Sequence, residues 1–248
     1  MDFYKNFAFF GDFLRPVQTD KPLIRVGDFK DGGYLVPNDF SGISACYSPG
    51  VSAQSSFEFD IAKHGIPSFM ADASVDAPPI DVPGGQFVKK FLGPEDDGEF
   101  MSLASWVNQT DPDSDSDLLL QMDIEGAEYK TLAATPAEVL QRFRIIVIEL
   151  HHIPSSLTKP AFFNRAKAMI DALSPDFQSV HLHPNNVSGV VEIEAVQIPR
   201  VVEATFLRRD RVVNARPVSG LPNALDCRHN PHRPALTLPQ EWISQPTG

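Results

Sequence analysis

From Leu118 the chain runs apolar through LLLQM and then stops abruptly at Asp123, Ile124, Glu125 and Gly126. A run of this kind without a turn residue predicts a buried strand, and the AEYKTLAA that follows predicts a helix. Two carboxylates therefore fall where a strand gives out. The same pattern recurs at RIIVIELHHI, a second buried strand, which ends in Glu149, Leu150, His151 and His152. In a parallel sheet, adjacent strands end on one edge, where loops and helix N-termini converge on ligands. The two polar clusters are thus expected to lie together, facing a ligand.

The rest of the chain repeats the alternation. Phe3, Phe7, Phe10 and Leu14 stand at helical spacing in the first segment, which predicts a short helix covering the core. LIRV and YLVP flank a turn at Asp31, Gly32 and Gly33, a hairpin pattern whose turn could also face a ligand. ISACYSPG predicts a strand closing in a Pro49-Gly50 turn. VSAQSSFEFDIAKHG then predicts a helix, with Ser55 and Glu58 at capping-box spacing. Strand, glycine turn and helix start together bring backbone N–H groups up to a ligand. The next strand, IPSFMADAS, ends in Asp72, placed to accept hydrogen bonds from a ribose diol.

Further on, QFVKKFL predicts one strand and a helix starts near Ser102. DPDSDSD at 111–117 reads as a solvated connector, since it lacks the glycine and terminal glutamate of a calcium loop. TPAEVLQRF is expected to prolong the helix after Gly126. KPAFFNRAKAMIDAL predicts a helix burying Phe162, Ala166, Met169 and Ile170. FQSVHLHPNN is a strand ending in His183, Pro184, Asn185 and Asn186, and VVEATFLRR is the last convincing strand. Pro-rich sequence from Pro217 onward suggests an arm that wraps the domain or a partner. The expected organisation is a helix-and-hairpin cover over 1–40, a core domain over 41–215 and the arm over 216–248.

Composition narrows the function. At 248 residues and 42% hydrophobic, one large domain is the better expectation. With 21 Lys and Arg against 32 Asp and Glu, the net charge of -11 argues against a nucleic-acid partner. Two cysteines, Cys46 and Cys227, in no zinc-type spacing argue for a reducing, cytoplasmic setting. The N-terminus lacks the pattern of a signal peptide, and no apolar run is long enough to span a membrane. Strand–helix alternation through five units, closed by two late strands, predicts a doubly wound α/β domain.

MDIEGAEYKTL followed by a strand ending IELHHI resembles the signature of FkbM-like S-adenosylmethionine-dependent methyltransferases. DGGYLV, YSPGVSAQSSFE and HPNN before a final E-A-T-F strand are similar to landmarks of a related subgroup, so the resemblance covers most of residues 25–209. It implies a Rossmann-like class I methyltransferase fold: a mostly parallel seven-stranded sheet with its last strand antiparallel. It also implies S-adenosylmethionine as cofactor, with Gly50, Val51 and Ser52 under its methionine part, Asp72 on its ribose and Asp123 near the transferred methyl group. Asp31, Gly32, Ser55 and Ser102 complete the candidate cofactor set. The chain departs from the family in reading SPGVS where a glycine-rich loop is usual, and in carrying Gln121 where a lysine or similar residue precedes the motif.

A hydroxyl acceptor wants a base or a metal. Asp123, Glu125, Glu149 and His151 are the catalytic candidates, and His152, His183, Asn185 and Asn186 the substrate-side ones. His152 and the asparagines also read as satisfied strand-end or turn residues. The resulting expectation is O-methylation of a small hydroxylated acceptor, a sugar or glycan. A variant assisted by Mg²⁺ or Mn²⁺ is the nearest alternative. A dinucleotide or nucleotide-sugar enzyme, disfavoured by the lack of GxGxxG, and a catalytically silent binding module are the others. A homo-oligomer formed through the arm is the one protein partnership the sequence suggests.

Overall fold

The computed structural model describes residues 2–52, 54–111 and 115–244. Within the acidic connector, 112–114 fall outside the described residues, as do the last four residues of the arm. Nine strands and seven helices position the site. A hairpin of β1 (Leu23–Val26) and β2 (Tyr34–Pro37) precedes the central strands β3 (Ile43–Pro49), β4 (Ser68–Ala71), β5 (Gln86–Val88), β6 (Asp117–Met122), β7 (Phe143–Leu150), β8 (Phe177–Pro184) and β9 (Val202–Arg208). The helices are α1 (Phe3–Leu14), α2 (Ser56–Ala62), α3 (Leu103–Thr110), α4 (Glu128–Ala134), α5 (Ala137–Leu140), α6 (Ile153–Thr158) and α7 (Pro160–Leu173).

The central sheet has seven strands in the order β8-β9-β7-β6-β3-β4-β5. Strands β3 to β7 pair in parallel, whereas β9 runs antiparallel to both β7 and β8. The winding reverses between β3 and β6, which are adjacent, so their carboxyl ends open side by side at a topological switch point. This mostly parallel α/β sheet is compatible with a Rossmann-like fold.

The period of two along the buried strands sorts their side chains to opposite faces. Leu118, Leu120, Met122, Ile146 and Ile148 pack with α1, α3, α4 and α7, while Leu119, Ile145 and Val147 pack with the hairpin and α2. Every residue of β7 is buried, as expected for a strand covered on both faces. Where the strands begin, Asp117 receives Arg144 at 2.5 Å and Arg208 at 2.6 Å, and Asp39 receives Arg211. These pairs tie the edge opposite the site.

Several local expectations are corrected. The helix after Gly126 does not continue through TPAEVLQRF: it ends before Thr135 and Pro136, and α5 is a separate short piece. Proline lacks the N–H that an unbroken helix would need there. QFVKKFL divides into β5 and a short strand at Phe91–Gly93 that pairs with Phe100–Ser102. In α7 the fully buried positions are Ala166, Met169, Ile170 and Leu173, whereas Phe162 is half-buried with its ring against His152. Ser55 and Glu58 form no capping box, because Glu58 turns instead to Ser48.

The C-terminal arm packs on its own chain. Arg216–Pro217 pairs with Val17–Gln18, Asp226 receives His181 at 2.8 Å, and His229 pairs with Glu203. Near its end Trp242, fully buried, stacks on Phe7 at 5.3 Å and donates its indole N–H to the Phe7 carbonyl. Gly11 permits that approach, since a Cβ there would stand 2.7 Å from the indole. Trp242→Ala is expected to lower unfolding stability by about 3–5 kcal/mol, read from the midpoint of a urea titration.

Candidate active site

The ends of β3 and β6 meet closely. Gly50 has φ 90, and a Cβ on it would lie 1.7 Å from the Asp123 carbonyl oxygen, so no other residue fits without displacing one of the two strand ends. Asp123 in turn donates its backbone N–H to the Pro49 carbonyl at 3.3 Å. Beyond Gly50 the loop is stapled to the end of β4 by Asp72. Its carboxylate accepts from the Ser52 N–H at 2.9 Å and from both the N–H and hydroxyl of Ser74.

These ends floor a cleft of about 470 Å³, roofed by Asp31 and Gly32 of the hairpin turn and walled by Phe91, Leu92 and Phe100. Five of its lining residues are acidic (Asp31, Glu58, Asp72, Asp123 and Glu125), and none of the described lining residues is basic. Such a lining favours a cationic or neutral ligand over an anionic one.

A buried polar chain lies along the floor. Ser48 contacts Glu58 and also Gln121, the latter at 2.6 Å, and the Gln121 amide donates to the Tyr34 hydroxyl at 3.3 Å. One hydroxyl proton cannot serve two acceptors, so both Ser48 contacts are satisfied together when Glu58 is protonated and donates. Burial has pushed the Glu58 carboxyl up to about 7, which is consistent with that role. Gln121 is therefore a hydrogen-bonding residue of the floor, more than the loss of a charged one.

The second cluster gathers around His151 at the end of β7. Its backbone N–H donates to Glu128 Oε1 at 2.8 Å, and the other Glu128 oxygen accepts from the Gly126 N–H at 2.7 Å. The His151 ring turns Nδ1 toward the Glu149 carbonyl at 3.1 Å and Glu128 Oε1 at 3.3 Å. Nε2 faces Glu125 Oε2 at 3.4 Å, Asp123 Oδ1 at 3.8 Å and Glu149 Oε1 at 4.0 Å. Glu125 reaches this position from a left-handed backbone, φ 54, beside Gly126 at φ 102. The strand has already ended at Met122, yet both carboxylates of the turn face the same imidazole.

Burial raises Asp123, helped by the carboxylates of Glu125, Asp31 and Glu128, while His151 opposes the rise. Burial likewise raises Glu149, with Asp123 and Glu203 adding to it. For His151 burial acts downward, but the Glu128 hydrogen bond and the surrounding carboxylates override it and push the ring up to about 9.

The structure thus brings Asp123, Glu125, Glu149 and His151 together, and sets Asp31, Gly32, Gly50, Val51, Ser52, Asp72 and Asp123 around one cleft. Other candidates stand apart. Ser55 is buried behind the loop with its hydroxyl unpartnered, and Ser102 caps α3 by accepting from Ser105. His152, at φ 58, covers Gly126 and meets Phe162. Asn185 donates to Glu149 at 2.8 Å, which makes it a support of the cluster. His183 and Asn186 bond to the arm, at Cys227 and Asn230. Sequence reasoning passed over Glu128, although it is the second glutamate of the Asp-Ile-Glu-Gly-Ala-Glu motif. It also gave no site role to the floor residues Tyr34, Ser48 and Glu58, although they stand inside the DGGYLV and YSPGVSAQSSFE landmarks.

A mostly parallel sheet with an acid-lined cleft at its switch point is compatible with a Rossmann-like α/β domain, in which ligands bind at that edge. Residues 101–181, roughly a third of the chain, match the family model of the methyltransferase FkbM domain, and this match bears out the resemblance to FkbM-like methyltransferases and supports a methyltransferase. The matched stretch carries Asp123, Glu125, Glu128, Glu149 and His151. No curated protein matches the chain.

Gly50→Ala is expected to abolish binding of a ligand in this cleft and to lower the thermal midpoint, checked by calorimetry with S-adenosylhomocysteine and by a melting curve. A second expectation concerns pH. His151 holds its proton more tightly folded than its ordinary 6.5, so its stabilising contribution is complete below 6.5 and lost as pH rises toward 9. Urea midpoints should therefore fall between pH 6.5 and 9, and His151→Asn should flatten that slope.

Proposed function

We propose that the chain is an S-adenosylmethionine-dependent methyltransferase acting on a hydroxyl of a small, uncharged acceptor, a sugar or glycan. The observation that carries this reading is Asp123, which lines the cleft and faces His151 at once, so that a cofactor site and an acid–imidazole cluster share one residue. The strand order, with β9 antiparallel to both neighbours, supports a class I methyltransferase arrangement.

The residues present fit such a cofactor. Gly50 lets the ends of β3 and β6 close together under the cleft, Asp72 stands at the end of β4 where a ribose diol is expected, and the acidic lining suits a cation. When bound, the cofactor supplies an activated methyl group on positively charged sulfur. The protein's part is then to hold the acceptor hydroxyl in line with that methyl group and to remove its proton. Alignment alone can be worth about 7 kcal/mol or more. Proton removal falls to the cluster of Asp123, Glu125, Glu149 and His151. The lack of basic side chains among the described lining residues favours an uncharged acceptor over a phosphorylated one.

Incubation with methyl-labelled cofactor and a panel of glycosides should give labelled product, and Asp123→Ala should lower kcat by about 100-fold or more. Undiminished transfer by that variant would remove the site assignment. In a thermal-shift comparison, S-adenosylmethionine should raise the melting point and NAD should not.

A further inference from the structure

We propose that Asp123, Glu125 and His151, with Glu149 behind them, form a site for a hard divalent cation, Mg²⁺ or Mn²⁺, that takes the oxygen of the acceptor hydroxyl. The cation site stands on the geometry of these four side chains; its role toward the acceptor rests on the methyl-transfer reading above.

The imidazole is set up as a ligand. A carbonyl oxygen can only accept, so the 3.1 Å contact with the Glu149 carbonyl keeps a ring proton on Nδ1 and makes Nε2 the nitrogen that a cation takes, with its proton released to solvent. This is how ligating histidines are oriented, with the second nitrogen tied to a carbonyl or carboxylate. Nε2 then points at three carboxylates, at 3.4, 3.8 and 4.0 Å. Each separation is longer than a good hydrogen bond. Each also suits donors arranged around one ion.

One donor atom each from Asp123, Glu125 and His151 lies within 4.8 Å of the other two. In an octahedral site with bonds near 2.1 Å, neighbouring ligand atoms are about 3.0 Å apart and opposite ones about 4.2 Å apart. The His151–Glu125 contact of 3.4 Å is within about 0.4 Å of the neighbouring-ligand spacing, and Glu125 is free to move, since its side chain is 87% exposed; the His151–Asp123 contact of 3.8 Å lies between the two spacings.

Two buried atoms point the same way independently. Asp123 Oδ1 and Glu149 Oε2 have no hydrogen-bond partner, and the Glu149 side chain is only 5% exposed. Unpaired carboxylate oxygens at such depth are costly unless a cation or proton meets them. Glu128 adds a fourth carboxylate around the single imidazole, held off from ligation by its bonds to the His151 and Gly126 N–H groups. One imidazole among otherwise oxygen donors suits Mg²⁺ or Mn²⁺ over softer metals.

The chemistry balances without a redox partner. The cluster then promotes proton removal through the ion: bound to the cation, the acceptor hydroxyl is more acidic, and its proton leaves to water. The oxygen forms a bond to the methyl carbon as the carbon–sulfur bond breaks, and the bonding pair stays on sulfur, which becomes a neutral thioether.

The full chain, stripped with a chelator and dialysed, is titrated with Mn²⁺ in the absence of cofactor, and free Mn²⁺ is followed by its electron paramagnetic resonance signal. One Mn²⁺ per chain is expected, and Glu125→Gln, at an exposed position that does not threaten the fold, should weaken it at least about tenfold, as should Asp123→Asn. No stoichiometric binding in the millimolar range, or binding that Glu125→Gln leaves unchanged, overturns the site. Calorimetry with S-adenosylhomocysteine on the same preparations separates the two readings: uptake of that ligand without Mn²⁺ overturns the cation site alone, whereas Mn²⁺ uptake without it retains the site and overturns its role toward the acceptor.

Discussion

The arrangement of the site depends on one buried carboxylate. Glu128 has no exposure, and both its oxygens are taken by backbone N–H groups, one from Gly126 in the turn after β6 and one from His151 at the end of β7. A buried carboxylate is tolerable only when hydrogen-bonded in this way, and the bonds it makes fix the separation of two strand ends. With those ends fixed, Asp123 and Glu125 on one side and His151 and Glu149 on the other must face each other. Remove that staple, and the cluster becomes four side chains on two loops.

The second constraint is steric. Gly50 and Asp123 approach so closely that the cleft floor exists only because position 50 lacks a side chain. Together these two contacts place a cleft and an acid–imidazole cluster on either side of Asp123. The acidic lining follows from the same compression, since Asp72, Glu58 and Asp123 all serve the framework as well as facing the cleft. What supports the strand ends therefore also sets the electrostatics that a ligand meets.

Much of this was legible in the sequence. The abrupt end of LLLQM at Asp123 and of RIIVIEL at His151 marked two strand ends, and parallel pairing brought them to one edge. Phe3, Phe7, Phe10 and Leu14 were readable as a buried helical stripe because a period of 3.6 is a local property. The capping box at Ser55 and Glu58 failed because the buried Ser48 at the end of β3 took the glutamate, a partner ten residues away that spacing rules do not weigh. His183 and Asn186 were placed by their strand-end position, but the arm from Cys227 to Asn230 packs against both. Glu128 stands in the first turn of α4, and only its burial distinguishes it from an ordinary helix acid.

The sequence by itself determined the strand-and-helix alternation, the edge on which acids and imidazole collect and the likeness to the FkbM methyltransferases, since all three rest on local patterns and motif spacing. Only the tertiary structure decided which of those groups touch. Hydrogen bonds between Glu128 and His151, the closeness of Gly50 to Asp123 and the burial of Glu149 join residues from different strands. Distances across a sheet are set by packing, and no spacing along the chain encodes them.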